Sequence, residues 1–511
     1  MTIDRPWRSL PPRGALLFLL ALPACGGAAP EAPAPAVTVE TAAGTITAED
    51  MARRITVLAH DTMAGRDTPS PELEEAAEYI ARELRAAGME PAGEDGTFIH
   101  RYDYTVAQLD ADRTTVRVSG SGWQPTYAVD YFMVPTAEPQ EAPAYYVGVA
   151  GEAGPPPPEA RGRILVYRHT GTELNQEWQQ RLVSALQPAL MLGAPGVILV
   201  LDPGFPVGMI PELARMTAEQ AGPTPVVGIT HEAGAELVAG LGAELGDLDG
   251  PTALGTQPLV VRSTATESTH RPPNVVAMLP GSDSVLRDTY VVLTAHFDHV
   301  GVGTPDETGD SIFNGADDDA SGTAAVLEIA EALAALDEPP ARSVVFLLVS
   351  GEEKGLLGSR AWVEDPTLDI GSVVANVNLD MMGRDPLPDT VIGIGQEYST
   401  LEETLRELMA AHPELELTLI LDPAPEERYF LRSDQLPFVQ QRIPAVFFTT
   451  GEHEDYHQVS DEPEAIHADK AARVTRLAFY LAHAIASDPT PPEYTDEGWA
   501  RIQEMLTASP F

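Results

Sequence analysis

Five short stretches in the second half of the chain place acidic and imidazole side chains at or near the ends of apolar runs: His296-Phe297-Asp298, Asp317-Asp318-Asp319, Glu352-Glu353, Asp380 and Tyr456-His457. Imidazole and carboxylate are the zinc ligands of hydrolytic sites, which keep one coordination position open for water. A two-ion site also needs one carboxylate shared between ions a few ångströms apart. The candidate ligands are His296, Asp318, Glu353, Asp380 and His457, with Asp318 as the bridge. Two Zn2+ carry four positive charges, and three carboxylates with one hydroxide carry four negative, so such a cluster is neutral when buried.

Taken singly, each stretch has a plainer reading. A histidine at a strand end is more often hydrogen-bonded than a ligand. Asp317 to Asp319 precede Ser321-Gly322-Thr323 and suit the cap of a helix. Glu352-Glu353 fits a solvated turn, and Asp380 can pair with Arg384. The combination in this order is what points to metal. His299, Asp317, Asp319, His453, Glu454 and Tyr456 read as supporting structure.

The elements that must position these residues are legible as runs. Tyr290 to Thr294, Ser343 to Val349, Ser372 to Leu379 and Ala445 to Thr449 are near-continuously apolar, as strands covered on both faces are. Ala324 to Leu336 and Lys470 to Ile485 have helical periodicity. An α/β fold follows, a mixed, mostly parallel sheet flanked by helices, and ligands in such sheets sit beyond the carboxyl ends of the strands. The acidic clusters fall there. Upstream, Thr47 to Leu58 and Pro71 to Ala87 read as helices joined by the loop Asp61 to Arg66, and Thr114 to Val118 and Tyr127 to Val134 as strands. Pro155 to Pro158 and the Gly/Ala-rich residues around it mark a change of character. Arg163 to Tyr167, Gly196 to Val200 and Val226 to Ile229 read as short buried strands, with a helix at Leu182 to Leu192. Residues 141–261 therefore read as a small inserted domain. His231-Glu232 begins like a zinc-binding H-E-x-x-H, but Ala235 stands where the second histidine is needed.

Ala295-His296-Phe297-Asp298-His299, Asn314 to Gly322, Ser350-Gly351-Glu352-Glu353, Asn378 to Gly383 and Asp455-Tyr456-His457 resemble the M28 family of zinc aminopeptidases and carboxypeptidases. The resemblance covers about Met51 to Val106 and Asn274 to Ser487. It implies the zinc exopeptidase (phosphorylase/hydrolase-like) fold and two Zn2+ per chain, one on His296, Asp318 and Asp380 and the other on Asp318, Glu353 and His457. It also implies Glu352 as the general base that activates a metal-bridging water, Asp298 as the partner that orients His296, and a cis peptide at Asp318-Asp319. The inserted block looks like a protease-associated (PA) domain. The implied activity is hydrolysis of peptide bonds, with release of N-terminal residues from a peptide substrate. Carboxypeptidase action on acidic dipeptides, glutaminyl cyclisation and a non-enzymatic surface-binding role of the PA-like block are the alternatives. Tyr429 is a candidate oxyanion donor. Ser433-Asp434-Gln435 departs from many relatives, which have His third, and this bears on subsite geometry.

Composition sets the remaining bounds. The 511 residues are 44% hydrophobic and 21% charged, which suits a globular chain with more than one domain. Asp and Glu number 77 against 31 Lys and Arg, a formal net charge of −46 that disfavours nucleic acid and anionic membranes. Arg5, Arg8 and Arg13, the apolar Gly14 to Leu22 and Leu22-Pro23-Ala24-Cys25 resemble a bacterial lipoprotein signal. That apolar run is too short to remain as a spanning helix. Cleavage before Cys25, the single cysteine, would leave it lipidated, with Gly26 after it favouring outer-membrane sorting. The expected organisation is a signal at 1–25, a flexible tether at 26–45, peptidase residues at 46–140 and 262–487 around the insertion at 141–261, and a C-terminal extension at 488–511.

Overall fold

The computed structural model describes residues 36–110, 112–133, 139–172, 176–205, 224–303, 305–306 and 308–508. The expected signal and Cys25 lie outside them. Four apolar runs become neighbouring strands of a nine-stranded sheet. In chain order its strands are β1 (Glu90–Pro91), β2 (Ile99–Arg101), β3 (Pro273–Leu279), β4 (Tyr290–His296), β5 (Ser343–Val349), β6 (Val373–Leu379), β7 (Thr390–Ile394), β8 (Thr418–Ile420) and β9 (Ala445–Thr449). They lie side by side as β1-β3-β5-β4-β6-β9-β7-β8, with β2 also on β3. The centre, β5-β4-β6-β9, is parallel, as the continuous apolar runs predict. Both margins turn antiparallel, at β3 on one side and between β9 and β7 on the other.

Strand alternation divides the central side chains between two cores. Along β5, Val344, Phe346 and Leu348 join one and Val345, Leu347 and Val349 the other. The first is filled by helices Ala48–Leu58, Pro71–Ala86, Gly322–Ala334 and Ala468–Ser487. The second is closed by Trp362 and Phe438 from two short helices. Truncating a core side chain such as the fully buried Phe346 to alanine costs about 3–5 kcal/mol. Arg54 staples three helices on the first side, 2.6 Å from Glu328 and 2.7 Å from Glu83 and from Glu331.

A second sheet of seven strands takes in Ile164–Arg168, Val197–Val200 and Val226–Ile229. It also takes in Thr115–Val118 and Tyr131–Met133, which pair with Thr252–Arg262 and Val226–Ile229. The inserted unit thus draws on residues upstream of 141, because long-range strand pairing has no local signature. An antiparallel ribbon, Tyr104–Leu109 on Ala265–His270, stands between the chain segments of the two sheets. At the ends, Val39–Ala43 is a short helix inside the expected tether, with Ala42 and Ala43 buried. Asp496–Ala508 in the C-terminal extension is a helix whose Ile502 is buried against Tyr398 and Phe430. Among the described residues, no helix is long and apolar enough to cross a membrane.

Candidate metal centre

Because β5, β4 and β6 are adjacent, the residues at their carboxyl ends converge. Glu352 and Glu353 follow β5, His296 ends β4 and Asp380 directly follows β6. Asp318 comes from the turn before helix Gly322–Ala334, and its bond to Asp319 is cis. Gly315 enters that turn with a left-handed φ of 57°, and a Cβ there would lie 2.3 Å from the Asp318 carbonyl oxygen. His457 arrives on the loop after β9, itself left-handed with φ 55°. Positive φ at a bulky residue is held only by its surroundings, and such residues gather at functional sites.

The five candidate ligands meet. Asp318 spans two groups: His296 Nε2 lies 3.2 Å from its Oδ1 and 3.7 Å from Asp380 Oδ1. On the other side His457 Nε2 lies 3.1 Å from Asp318 Oδ2 and 3.2 Å from Glu353 Oε2. Among the described residues, two sets of side chains have ligand atoms clustered tightly enough to hold an ion, and both contain Asp318. The second set contains His299 as well, which the sequence reading assigned to supporting structure. His299 Nδ1 is 2.8 Å from Glu353 Oε1. Yet His299 Nδ1, Glu353 Oε1 and His457 Nε2 are all buried without a hydrogen-bond partner. Buried polar atoms are nearly always satisfied, and lone pairs converging without hydrogen-bond alignment fit a cation between them. The all-imidazole-and-carboxylate donor set fits zinc.

The surroundings fix the ligand-bearing turns. The Asp319 carboxylate accepts the backbone N–H of His296 at 3.1 Å, of Gly322 at 2.8 Å and of Met381 at 3.2 Å. It therefore caps the helix, and it also joins the ends of β4 and β6. Asp461 accepts from the N–H of Asp317 at 3.0 Å and of Asp318 at 3.2 Å. Asp317 accepts from Gly383 N–H and lies 3.1 Å from His453 Nε2. Ser433 donates to Asp380 Oδ2 at 2.8 Å, so Asp380 is oriented by a serine. Arg384 pairs with Asp455 and lies near Asp461 instead. Arg66, fully buried, donates to the carbonyls of Leu58, Phe297, Asn314 and Gly315 at 2.6–3.0 Å.

Asp298 differs in detail from its expected role. Its Oδ1 is 3.7 Å from His296 Nδ1, too far for a hydrogen bond. Nδ1 instead lies 3.2 Å from the Asp298 backbone carbonyl. The Asp298 carboxylate accepts from Thr68 at 3.1 Å and from the Glu352 N–H at 3.3 Å, so it holds the turn that carries Glu352. Burial pushes the Glu352 carboxyl well above the usual carboxylate range, and Glu353 and Asp434 add to this against the pull of His296. Glu353 is also buried beside Asp318, but His457 and His299 outweigh those effects and hold it at about 2. Neighbouring glutamates thus differ in proton affinity, as a base and a ligand must. His296, Asp318, Glu352 and Asp380 line a single cavity of about 180 Å³, with Tyr429 and Tyr456 on its wall.

Sequence alone assigns no site role to Arg66 or Asp461, and marks His299 only as supporting structure and Ser433 only as part of a departure bearing on subsite geometry. His299 alone carried a signal, standing three residues beyond His296. Arg66 and Asp461 act through backbone groups of distant turns, which nothing in their own segments announces.

Residues 274–482 match Peptidase family M28. A probable zinc metalloprotease from Pyrenophora teres f. teres is 36% identical over 115 residues, 22% of this chain and 23% of that protein. A probable glutamate carboxypeptidase from Zea mays is 33% identical over 152 residues, 29% of this chain and 18% of that protein. The chain thus spans about a quarter or less of these curated relatives. A zinc aminopeptidase structure from Bacillus subtilis superposes with a TM-score of 0.57 at 20% identity, covering 87% of this chain and 97% of that one. This likeness establishes the mixed α/β fold.

Proposed function

We propose, from the M28 peptidase region at residues 274–482, that the chain is a di-zinc exopeptidase that releases N-terminal residues from peptides. The observation that carries this is two ligand groups sharing Asp318, one of which, His296, Asp318 and Asp380, lines a cavity together with Glu352. One ion would be held by His296, Asp318 and Asp380 and the other by Asp318, Glu353 and His457, with His299 beside the second. Bound there, zinc supplies Lewis acidity that polarises a carbonyl and acidifies water. Glu352, whose carboxyl burial raises well above the usual carboxylate range, takes a proton from the attacking water and returns it to the leaving amine. Asp298 keeps Glu352 in reach through its backbone N–H. Ser433 orients Asp380.

The test is a panel of aminoacyl amides, acidic dipeptides and N-terminal glutamine peptides, run with zinc-loaded and chelated protein. Zinc-dependent cleavage of the aminoacyl amides supports the proposal. Zinc-dependent action on either other class alone, or no turnover by well-folded, metal-loaded protein, contradicts it. We further propose export and lipid anchoring at Cys25, with the 141–261 block acting as a PA-like domain. Membrane association retained by Cys25→Ala would count against the anchor.

A further inference from the structure

The lining of the 180 Å³ cavity changes with distance from the ligands. Outward from Asp380 the strands run β6, β9, β7, β8. Ile392 of β7 pairs with Thr449 of β9, and Ile394 with Phe447, and all four line the cavity. Directly opposed residues share a sheet face, so the floor is largely apolar. Past β8 the chain turns through Asp422, Pro423 and Ala424, which form a further part of the wall. Three strand spacings, about 14 Å, separate the positions of β6 and β8.

Asp422 is a carboxylate at the end of an apolar channel. Its Oδ1 accepts the Ala424 N–H at 2.9 Å, and among the described residues no basic side chain pairs with it. The one arginine of the lining, Arg432, is engaged elsewhere: its guanidinium lies 4.7 Å from the Tyr429 ring centre and 3.8 Å from Glu452. Burial raises the Asp422 carboxyl above its ordinary value, with Glu426 adding to the shift. That is the state of a carboxylate lacking a cation.

We propose that this cavity receives the side chain of the substrate's N-terminal residue and that Asp422 selects a long side chain ending in a cation, lysine or arginine. This rests on the aminopeptidase reading. An extended lysine side chain spans about 6 Å from Cα to Nζ, and Asp380 and Asp422, both lining the cavity, each reach about 3 Å from their own Cα, so that with a contact of about 3 Å at the ammonium the ~14 Å between the strands is covered. The lysine stem lies along the Ile392, Ile394 and Phe447 floor, with the scissile carbonyl at the ligands and the ammonium at Asp422. Side chains that bury an apolar stem and present a charged tip suit such a channel. A substrate carboxylate there would meet Asp422 and Glu452 and repulsion.

The decisive comparison is lysine against norleucine, which keeps the stem and drops the charge, as 4-nitroanilides with the zinc-loaded full chain. The expected kcat/KM ratio favours lysine by about 10-fold. It falls toward one in Asp422→Asn and below one in Asp422→Lys, mainly through KM, and shrinks with added salt. A wild-type ratio at or below one, or a ratio unmoved by Asp422→Asn, overturns the assignment while norleucine cleavage leaves the aminopeptidase reading standing. Loss of all aminoacyl cleavage, with acidic dipeptides still hydrolysed, overturns both.

Discussion

Nδ1 of His299 stands 2.8 Å from Oε1 of Glu353, both atoms buried and neither in a hydrogen bond. Their ligand atoms and those of Asp318 and His457 lie within 4.8 Å of one another, which puts His299 on the Glu353 side of the proposed centre. His299→Ala should weaken metal binding on that side by about 10- to 100-fold while the His296 side stays filled. Metal titration followed by elemental analysis of the apo and reloaded variant checks this. Equal affinity on both sides would remove His299 from the centre.

Arg66 joins the turns on either side of the centre through four backbone carbonyls. Burial lowers its guanidinium to about 10, against the pull of Asp298, Asp318, Asp461 and Asp319, so it stays charged. Arg66→Met strands those carbonyls and should cost at least about 3 kcal/mol. Urea unfolding of metal-free protein measures this. A loss under about 1 kcal/mol would mean that water replaces the guanidinium.

In the second sheet, burial holds the His169 imidazole down at about 4, with its Nε2 on the Trp178 carbonyl at 3.2 Å. The unfolded chain, with a value near 6.5, binds the proton first, so the folded state loses stability as pH falls. The contribution is complete above about pH 6.5 and disappears progressively toward about pH 4, a change on the order of 3 kcal/mol. Thermal unfolding across this range should show the inserted unit melting earlier at low pH. His169→Phe should flatten that slope, and an unchanged slope would exclude His169 as its source.

The sequence made some of this legible for a physical reason. The strands at 343–349 and 445–449 are buried along their whole length, so their apolar runs had no polar interruption to hide them. His296, Asp318, Glu353, Asp380 and His457 are legible only together, since each alone has a plainer reading and their combination in this order points to metal. The short strand Thr390–Ile394 carries part of the cavity floor and Thr418–Ile420 pairs with it, but both look like ordinary loop-flanked segments. Arg66 in Met63-Ala64-Gly65-Arg66 looked like a loop residue. Nothing local distinguishes an arginine that will cap distant carbonyls from one that will face solvent. Gly65 gives the remaining hint: a Cβ there would meet the Gly301 and Phe313 carbonyl oxygens at 2.5 Å.

The central claim is that Glu352 moves the proton while its neighbour Glu353 holds metal. Glu352→Gln keeps the shape and removes the base. Zinc content of the purified variant, measured beside its kcat on an aminoacyl amide, should show metal at the wild-type level and kcat reduced about 1,000-fold. Turnover near wild type in a metal-replete variant would contradict the account.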